Sequence, residues 1–123
     1  MGSATRIKLP LPARTVAETI CRLASEGKAE NIVILDVQGI SNVTDYFVIL
    51  TGTSQTHLRA LSRRIEDGLR DQGIKPASID GARTTGWVAI DYGSVIVHAM
   101  TEESRQLYDL ERLWGDAPRT EWN

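Results

Sequence analysis

The sequence predicts a single-domain α/β protein in which helices cover one mixed β-sheet. Three observations predict this fold class: β-branched runs typical of buried strands, amphipathic helical patterns between them, and a length of 123 residues, which suits one domain. A chain of this length buries roughly two-thirds of the surface that its unfolded form exposes, so an apolar core can hold it together. We therefore expect a compact, soluble domain.

The first helix is predicted to follow a flexible lead over residues 1–14, which contains Pro10 and Pro12 and shows no periodicity. Thr15 and Glu18 have the spacing of a capping box, in which a threonine oxygen and a glutamate each accept a backbone N–H. Apolar residues then recur at helical spacing up to Gly27. The sequence therefore predicts a helix from Thr15 to Gly27.

Two buried strands and a second helix follow. Residues 32–35 and 46–50 are continuous apolar, β-branched runs, which favours strands covered on both faces. The small residues 52–54 end the second strand and cap a helix over about 55–72, where leucine and isoleucine form a narrow apolar stripe that ends at Gly73. Such a helix is predicted to lie on the sheet.

The last third of the chain predicts a hairpin and a final helix. Residues 75–80 can form a short strand, in which Pro76 indicates either an edge strand or the start of a strand. Residues 87–91 and 95–100 are predicted to pair across a turn at 92–94. Thr101 caps the last helix, whose inward side is predicted from four apolar residues. These residues are Leu107, Leu110, Leu113 and Trp114.

Composition argues against several functions. The 14 basic and 16 acidic residues give a formal charge of −2, and no basic cluster is long enough to follow a phosphate backbone, so direct nucleic-acid binding is not expected. No stretch approaches the ~20 apolar residues that cross a bilayer. The single cysteine, Cys21, has no disulfide partner and favours a reducing, cytoplasmic compartment.

The residues that could carry catalysis are sparse. His57, His98 and Cys21 match no zinc spacing, and no cofactor motif is present. We expect His98 to be a hydrogen-bonded structural histidine, His57 to be solvated and Cys21 to pack in the core. Asp36 and Asp45 suit turns better than an acid–base pair.

The turn over residues 50–54 resembles the glycine–serine turn of nucleotidyltransferases, where helix N–H groups cradle phosphate. Those enzymes also need paired carboxylates for two metal ions, whereas here Asp80 and Asp91 each stand alone. We therefore interpret Gly52 as a turn residue and Thr53 or Ser54 as a helix cap.

Five segments together resemble the ribosomal silencing factor (Iojap) family. They are DVQGISNVTDYFVI at 36–49, TGTS at 51–54, WVAIDYG at 87–93, VIVH at 95–98 and ESRQLYDLERLW at 103–114. The resemblance covers about residues 15–119, which we take as the domain, with a tail at 120–123. Ser94 departs from the pattern, because the family commonly has an aspartate there.

The resemblance implies a nucleotidyltransferase-like fold without the catalytic carboxylate pair, and no enzymatic activity or cofactor. It further implies binding to the large ribosomal subunit through its fourteenth protein, which obstructs joining of the small subunit and represses translation under nutrient limitation. No transit segment is visible, so the bacterial cytoplasm is the expected compartment.

Docking without catalysis needs aromatic and apolar anchors with a polar rim. The candidates for partner contact are Trp87, Asp91, Tyr92, Met100, Arg105 and Tyr108. Four of them, Trp87, Met100, Arg105 and Tyr108, are expected to form one patch. On the strand, Trp87 and Ala89 face one way and Val88 and Ile90 the other, but the pattern leaves open which pair is core.

Two alternatives stay open at this stage. The first is a nucleotidyltransferase-like enzyme, for which nucleotide-dependent turnover or metal binding at Asp80 or Asp91 would be diagnostic. The second is a homo-oligomeric scaffold with an unrelated partner. A homodimer of the free protein is compatible with this scaffold and also with a ribosomal silencing factor.

Overall fold

The computed structural model describes residues 9–81 and 86–122. Within these residues the chain forms a six-stranded mixed sheet with helices on both faces, which confirms the predicted fold class. The elements are α1 (Ala13–Glu26), β1 (Glu30–Asp36), β2 (Tyr46–Thr51), α2 (Gln55–Arg70), β3 (Ser78–Asp80), β4 (Trp87–Asp91), β5 (Val95–Met100), α3 (Glu102–Tyr108), α4 (Leu110–Leu113) and β6 (Arg119–Glu121). The likeness to nucleotidyltransferases stays a prediction.

The strands lie in the order β3-β4-β5-β2-β1-β6. Among the strands of the described residues, only β2 and β5 pair in parallel, and the other neighbours pair antiparallel. The parallel pair requires a long connection, which α2 and the strands β3 and β4 provide. The predicted strands β1 and β2 are interior and apolar on both faces, whereas β3 is an edge strand, as Pro76 before it suggested.

Helices α1 and α2 cover one face of the sheet and bury the larger apolar cluster. Alternate residues of the strands point into this cluster because successive side chains of a strand face opposite ways. Its fully buried members include Ile20 of α1, Leu58 and Ile65 of α2, and Val97 of β5. Cys21 packs here as predicted, and burial raises the pKa of its thiol to about 12.

The start of α1 differs from the predicted capping box. The helix begins at Ala13, directly after Pro12, and no side chain caps it. Thr15 therefore lies inside the first turn, and Glu18 pairs with Arg14 at 3.2 Å instead of reaching back to a cap. The physical reason is Pro12, whose ring fixes φ and starts the helix earlier than Thr15 could. Residues 1–8 of the predicted lead lie outside the described residues.

The predicted last helix is broken into two. Asp109 adopts the left-handed conformation, with φ 48°, between α3 and α4. The break turns two of the predicted inward residues outward, and Leu107 and Leu113 are each 73% exposed. Only Leu110 and Trp114 pack against apolar residues of the sheet. The predicted cap is confirmed, since the Thr101 hydroxyl accepts the Ser104 N–H.

The predicted tail, 120–123, contains two of the three residues of the last strand, β6. β6 pairs antiparallel with β1, with Thr120 opposite Ile34, and Trp122 packs against the larger apolar cluster. The three residues of β6 are all polar and show no alternation of apolar and polar side chains. The sequence therefore carries no sign of a strand here, and the predicted domain ended at Arg119. None of the helices in the described ranges is long and apolar enough to cross a membrane.

Candidate partner-binding surface

The second face of the sheet is only partly covered, because α3 and α4 are short. A smaller apolar cluster lies there, formed by Val33, Leu35, Val37, Phe47, Ile49, Met100 and Ala117. Toward β4 the cover ends, and Trp87, Ala89, Ile96 and His98 are only half-buried. A surface cavity of about 340 Å³, lined by Asp80, Gly81, Trp87 and Ala89, opens beside Trp87.

An aromatic row crosses this face of the sheet. The ring of Tyr108 lies 4.7 Å from Trp87, and Trp87 lies 5.7 Å from His98, centroid to centroid. The row continues from His98 to Phe47 at 5.3 Å and from Phe47 to Trp114 at 5.4 Å. All pairs are tilted, an arrangement that stabilises aromatic contacts. The row therefore contains five rings, three on strands and two from α3 and the end of α4, and Tyr108 and Trp87 form its outer end.

His98 holds the central position of the row. Its Nδ1 accepts a hydrogen bond from the Trp87 indole N–H at 3.0 Å, so the ring proton sits on Nε2. Burial lowers the pKa of His98 to about 4, and the ring is neutral near pH 7. The predicted structural, hydrogen-bonded histidine agrees with this geometry. Its consequence is a fixed orientation of the Trp87 indole.

The structure brings together two of the six predicted contact residues, Trp87 and Tyr108. Tyr108 is 53% exposed and Trp87 is half-buried beside it. Asp91, also half-buried, lies at the other end of β4, where its Oδ1 accepts the Gly93 N–H at 2.7 Å. That bond closes the hairpin turn. Direct contact of these three residues with a partner stays a prediction.

The other three predicted contact residues are buried, so the expected single patch of Trp87, Met100, Arg105 and Tyr108 is wrong in its arrangement. Met100 is 0% exposed because α3 packs against β5 beside it. Tyr92 is also 0% exposed but faces the opposite cluster under α1 and α2, where burial raises the pKa of its phenol. Neither side chain can touch a partner of the folded protein.

Arg105 is 8% exposed and belongs to a buried polar cluster. Its guanidinium makes a two-bond ion pair with Glu111, at 2.8 and 3.1 Å, and donates to the Asn31 carbonyl and the Thr51 hydroxyl. Arg119 bonds the same Glu111 carboxylate. The hydrogen bond from Arg105 and then that from Arg119 hold the pKa of Glu111 down at about 2.

Sequence reasoning missed the exposed leucines of α3 and α4, Leu107 and Leu113, and also the place of Phe47 in the row. Phe47 could have been found, because its alternation along β2 sets it on the face opposite Tyr46. The leucines carried no such signal. Their helix is interrupted by the left-handed Asp109, a conformation that aspartate tolerates but does not require.

The glycine turn before α2 is structural. Ser54 caps α2 by accepting the His57 N–H at 3.0 Å, which confirms one of the two predicted caps. The Thr53 N–H donates to Nδ1 of His57, and Nε2 of that ring bonds the Gly27 carbonyl at 2.9 Å. The prediction of a solvated His57 is therefore wrong, since the ring ties the end of α1 to the start of α2. Its bonds also occupy a turn N–H that a phosphate would need.

No set of three or more His, Cys, Asp or Glu side chains within the described ranges could hold a metal ion. Asp36 accepts the Gln38 N–H at 3.1 Å, the turn role predicted for it. What the described surface offers to a partner is the aromatic row with its exposed outer end.

The sequence model of the family described as "Ribosomal silencing factor during starvation" matches residues 10–123. The chain belongs to this family. Ribosomal silencing factor RsfS of Bacillus subtilis is 37% identical over 105 residues, which cover 85% of this chain and 89% of that protein. The mouse protein "Mitochondrial assembly of ribosomal large subunit protein 1" is 32% identical over 100 residues, or 79% of this chain and 44% of that protein.

A crystal structure of a Chromobacterium violaceum protein superposes with a TM-score of 0.82 at 26% identity, covering 85% of this chain and 88% of that one. The predicted family is thus confirmed. The family of ribosomal silencing factors binds ribosomes, associates with the large subunit, represses translation and is not a family of enzymes. The alternative of a nucleotidyltransferase-like enzyme is thereby set aside.

Proposed function

We propose that this chain binds the large ribosomal subunit through its fourteenth protein and obstructs joining of the small subunit, which represses translation when nutrients fall short. Family membership supports binding to the large subunit. The observation that carries the contact surface is the exposed outer end of the aromatic row, where Tyr108 and Trp87 meet at 4.7 Å on a partly covered sheet face. The bacterial relatives favour the cytoplasm as the compartment.

This surface has the composition of a protein interface. Tyrosine and tryptophan supply most of the energy at many interfaces because they bury large areas with few rotatable bonds. The cavity beside Trp87, of about 340 Å³, is large enough for an apolar side chain of a partner. The exposed carboxylates of Glu102, Glu103 and Asp109 give α3 and its end an acidic rim, which complements a basic partner.

Obstruction needs only occupancy of the joining face. The bound domain acts through its volume and consumes no substrate, and the exposed aromatic pair of Trp87 and Tyr108 is suited to such binding. We therefore expect repression to follow the fraction of large subunits that carry the protein. Subunits that have already joined should be much less sensitive, because their contact face is covered.

The experiment is a subunit-joining assay on a sucrose gradient. Purified large subunits are incubated with the protein before small subunits are added, and the yield of joined ribosomes is measured as the protein is titrated. We expect the yield to fall in step with comigration of protein and large subunit. The reverse order of addition is the control. Normal joining at saturating occupancy would contradict the proposal.

The identity of the contacted protein is tested separately, with the isolated fourteenth protein of the large subunit. Binding of that protein by wild type, and loss of binding in Tyr108→Ala, is the expected result. If the protein comigrates with large subunits but has no affinity for the fourteenth protein, the proposed obstruction of subunit joining still holds, but the proposed contact protein is wrong. A stable homodimer with no affinity for either would favour the scaffold alternative.

A further inference from the structure

Helix α3 lies on the sheet with little apolar burial of its own. Of its residues Glu102–Tyr108, only Ser104 and Arg105 are buried, while Leu107 is 73% exposed. A helix of seven residues is unstable on its own, because the few hydrogen bonds of its two turns barely offset the entropy lost on forming them. Something other than apolar burial must therefore fix its position.

Arg105 provides four bonds from one side chain. Nε and Nη2 bind the two oxygens of Glu111 at the start of α4, at 2.8 and 3.1 Å. Nη1 donates to the Asn31 carbonyl at 2.6 Å and to the Thr51 hydroxyl at 2.8 Å. The guanidinium thus connects α3 to α4, β1 and β2 in a fixed, planar geometry.

The acceptor on β1 is made available by an irregularity of that strand. The register between β1 and β2 shifts between Glu30 and Val33, and Asn31 within this stretch has a φ of 49°. Bulges of this kind redirect backbone groups away from the ladder. The Asn31 carbonyl consequently meets Arg105, so β1 contributes a fixed point for a helix far along the chain.

The position of α3 determines where Tyr108 lies. Tyr108 follows Arg105 by three residues, a spacing that places both on one side of the helix. The first turn of α3 also touches the residue before Trp87. The Thr101 N–H donates to the Gly86 carbonyl at 2.9 Å, and a Cβ on Gly86 would collide with Ser104 Oγ. The helix therefore bridges the buried polar cluster and the outer end of the aromatic row.

We propose that Arg105 is the positioning residue of the partner-binding surface: it fixes α3 so that Tyr108 stays stacked against Trp87. The inference rests on the proposed function for its effect on ribosome binding. It takes the place of the direct partner contact predicted for Arg105, whose side chain is buried and bonded within the protein. Lysine cannot substitute, because a single ammonium cannot hold both Glu111 oxygens and reach Asn31 and Thr51 together.

The first readout needs no ribosome. In the 1H–15N spectrum, the indole N–H signal of Trp87, assigned with Trp87→Phe, is shifted by the ring current of Tyr108. Arg105→Met and Arg105→Lys should move this signal to the position it takes in Tyr108→Ala. Arg119→Met is the matched control, because Arg119 also binds Glu111 but makes none of the bonds of Arg105. An unmoved Trp87 signal in a folded Arg105→Met would overturn the proposal.

The second readout is a double-mutant cycle on large-subunit affinity. Arg105→Met should weaken binding about tenfold on its own and less than about twofold when Tyr108 is already alanine, because both changes remove the same contact. Equal losses in both backgrounds would mean that Arg105 acts independently of Tyr108 and would overturn the proposal. If wild type binds no large subunits, the proposed function fails while the spectral result still decides the positioning role.

A variant that does not fold cannot decide the matter, so Glu111→Gln is the milder alternative. It keeps the shape of the side chain and the bonds of Arg105 to Asn31 and Thr51, but removes the ion pair. We expect the Trp87 signal to move part of the way toward its position in Tyr108→Ala. A signal identical to that of wild type in Glu111→Gln would contradict the coupling of the polar cluster to Tyr108.

Discussion

The two faces of the sheet differ in what covers them. On one face, α1 and α2 are 14 and 16 residues long and bury a continuous apolar cluster. On the other, α3 and α4 have 7 and 4 residues, and of their own residues only Ser104 and Arg105 are buried. The first face is closed by apolar packing, whereas the second adds a row of rings and the ion pair of Arg105 and Glu111 to a smaller apolar cluster.

This difference separates stability from binding within one small domain. Apolar burial is the main favourable contribution to folding, so the face under α1 and α2 should determine the free energy of unfolding. The partly covered face retains aromatic area that a partner can bury. Substitutions in the apolar core under α1 and α2 are therefore expected to change mainly the free energy of unfolding. Substitutions in the exposed end of the aromatic row are expected to change mainly the affinity for a partner.

The largest effect is expected at Gly52, on the helix-covered side. A Cβ at this position would lie 2.6 Å from Leu58 Cδ2 and 3.4 Å from Leu61 Cδ1, and both leucines are buried. Gly52→Val should lower the free energy of unfolding by about 3 kcal/mol, the scale of overpacking in a core. The cause is lack of space, since Gly52 is not among the glycines with positive φ.

Urea denaturation measures this change, and the same preparation is tested for large-subunit affinity below its melting temperature. The affinity should be unchanged. Gly39→Val is a useful comparison, because no atom lies within 4 Å of a Cβ there and any cost comes from its φ of 76° alone. If Gly52→Val has normal stability but no longer binds large subunits, this turn lies at the interface. Stability and binding would then not be separated between the two faces of the sheet.

The second effect is expected at Trp87, on the partly covered face. Trp87→Ala should weaken large-subunit binding by about 2 kcal/mol, or roughly thirtyfold, as for an interface hot spot. Ile79→Ala is the matched control, since Ile79 is 38% exposed but lies outside the aromatic row. It should leave affinity unchanged.

The melting temperature of the Trp87→Ala variant distinguishes a residue that contacts the partner from one that packs in the protein core. Loss of a fully buried tryptophan costs about 3–5 kcal/mol. We expect a smaller loss because the Trp87 side chain is half-buried. A collapsed melting transition would show that Trp87 supports the fold, and its effect on binding could then no longer be read as contact.

A third, smaller effect concerns acid. The pKa of Glu111 is lowered to about 2 in the folded protein, below the ordinary value of 4.5. As the pH falls, Glu111 is therefore protonated in the unfolded chain before it is protonated in the folded protein. The contribution of Glu111 to the free energy of unfolding is present above about pH 4.5 and is lost as the pH falls to about 2. Because Glu111 is partly exposed, we expect about 1 kcal/mol after solvent screening.

The difference between wild type and Glu111→Gln isolates this contribution from that of other titrating groups. Urea denaturation is repeated at intervals between pH 7 and pH 2. The two proteins should differ most above pH 5 and converge toward pH 2. A difference that is independent of pH would contradict the assignment to the Glu111 carboxylate.

Sequence patterns predicted the covered face better than the open one, and the reason is physical. Apolar periodicity reports burial under long helices, so α1, α2 and the interior strands were found from it. Alternation along β4 showed that Trp87 and Val88 face opposite ways, but a period of two cannot say which side is core. Met100 and Tyr92 were assigned to the surface for the same reason.

The short elements carried too little pattern to be predicted. The break at Asp109 depends on one backbone conformation, and β6 consists of three exposed residues that pair with β1 across the whole chain. The role of Arg105 is non-local as well, because its acceptors on β1 and β2 lie 74 and 54 residues away in sequence. Neither a helical nor a strand period encodes such contacts.

The smallest effect is expected at Leu107, and it tests the break directly. The helical period of residues 101–114 predicts Leu107 inside, whereas the structure leaves it 73% exposed. Leu107→Ser should therefore change the free energy of unfolding by less than about 0.5 kcal/mol, as for an exposed site. Leu69→Ser, on the buried side of α2, is the control and should lose several-fold more, because Leu69 is 0% exposed. Urea denaturation of both variants gives the comparison. A loss at Leu107 close to that at Leu69 would mean that α3 and α4 form one continuous helix with its leucines inward, and that both faces of the sheet are closed.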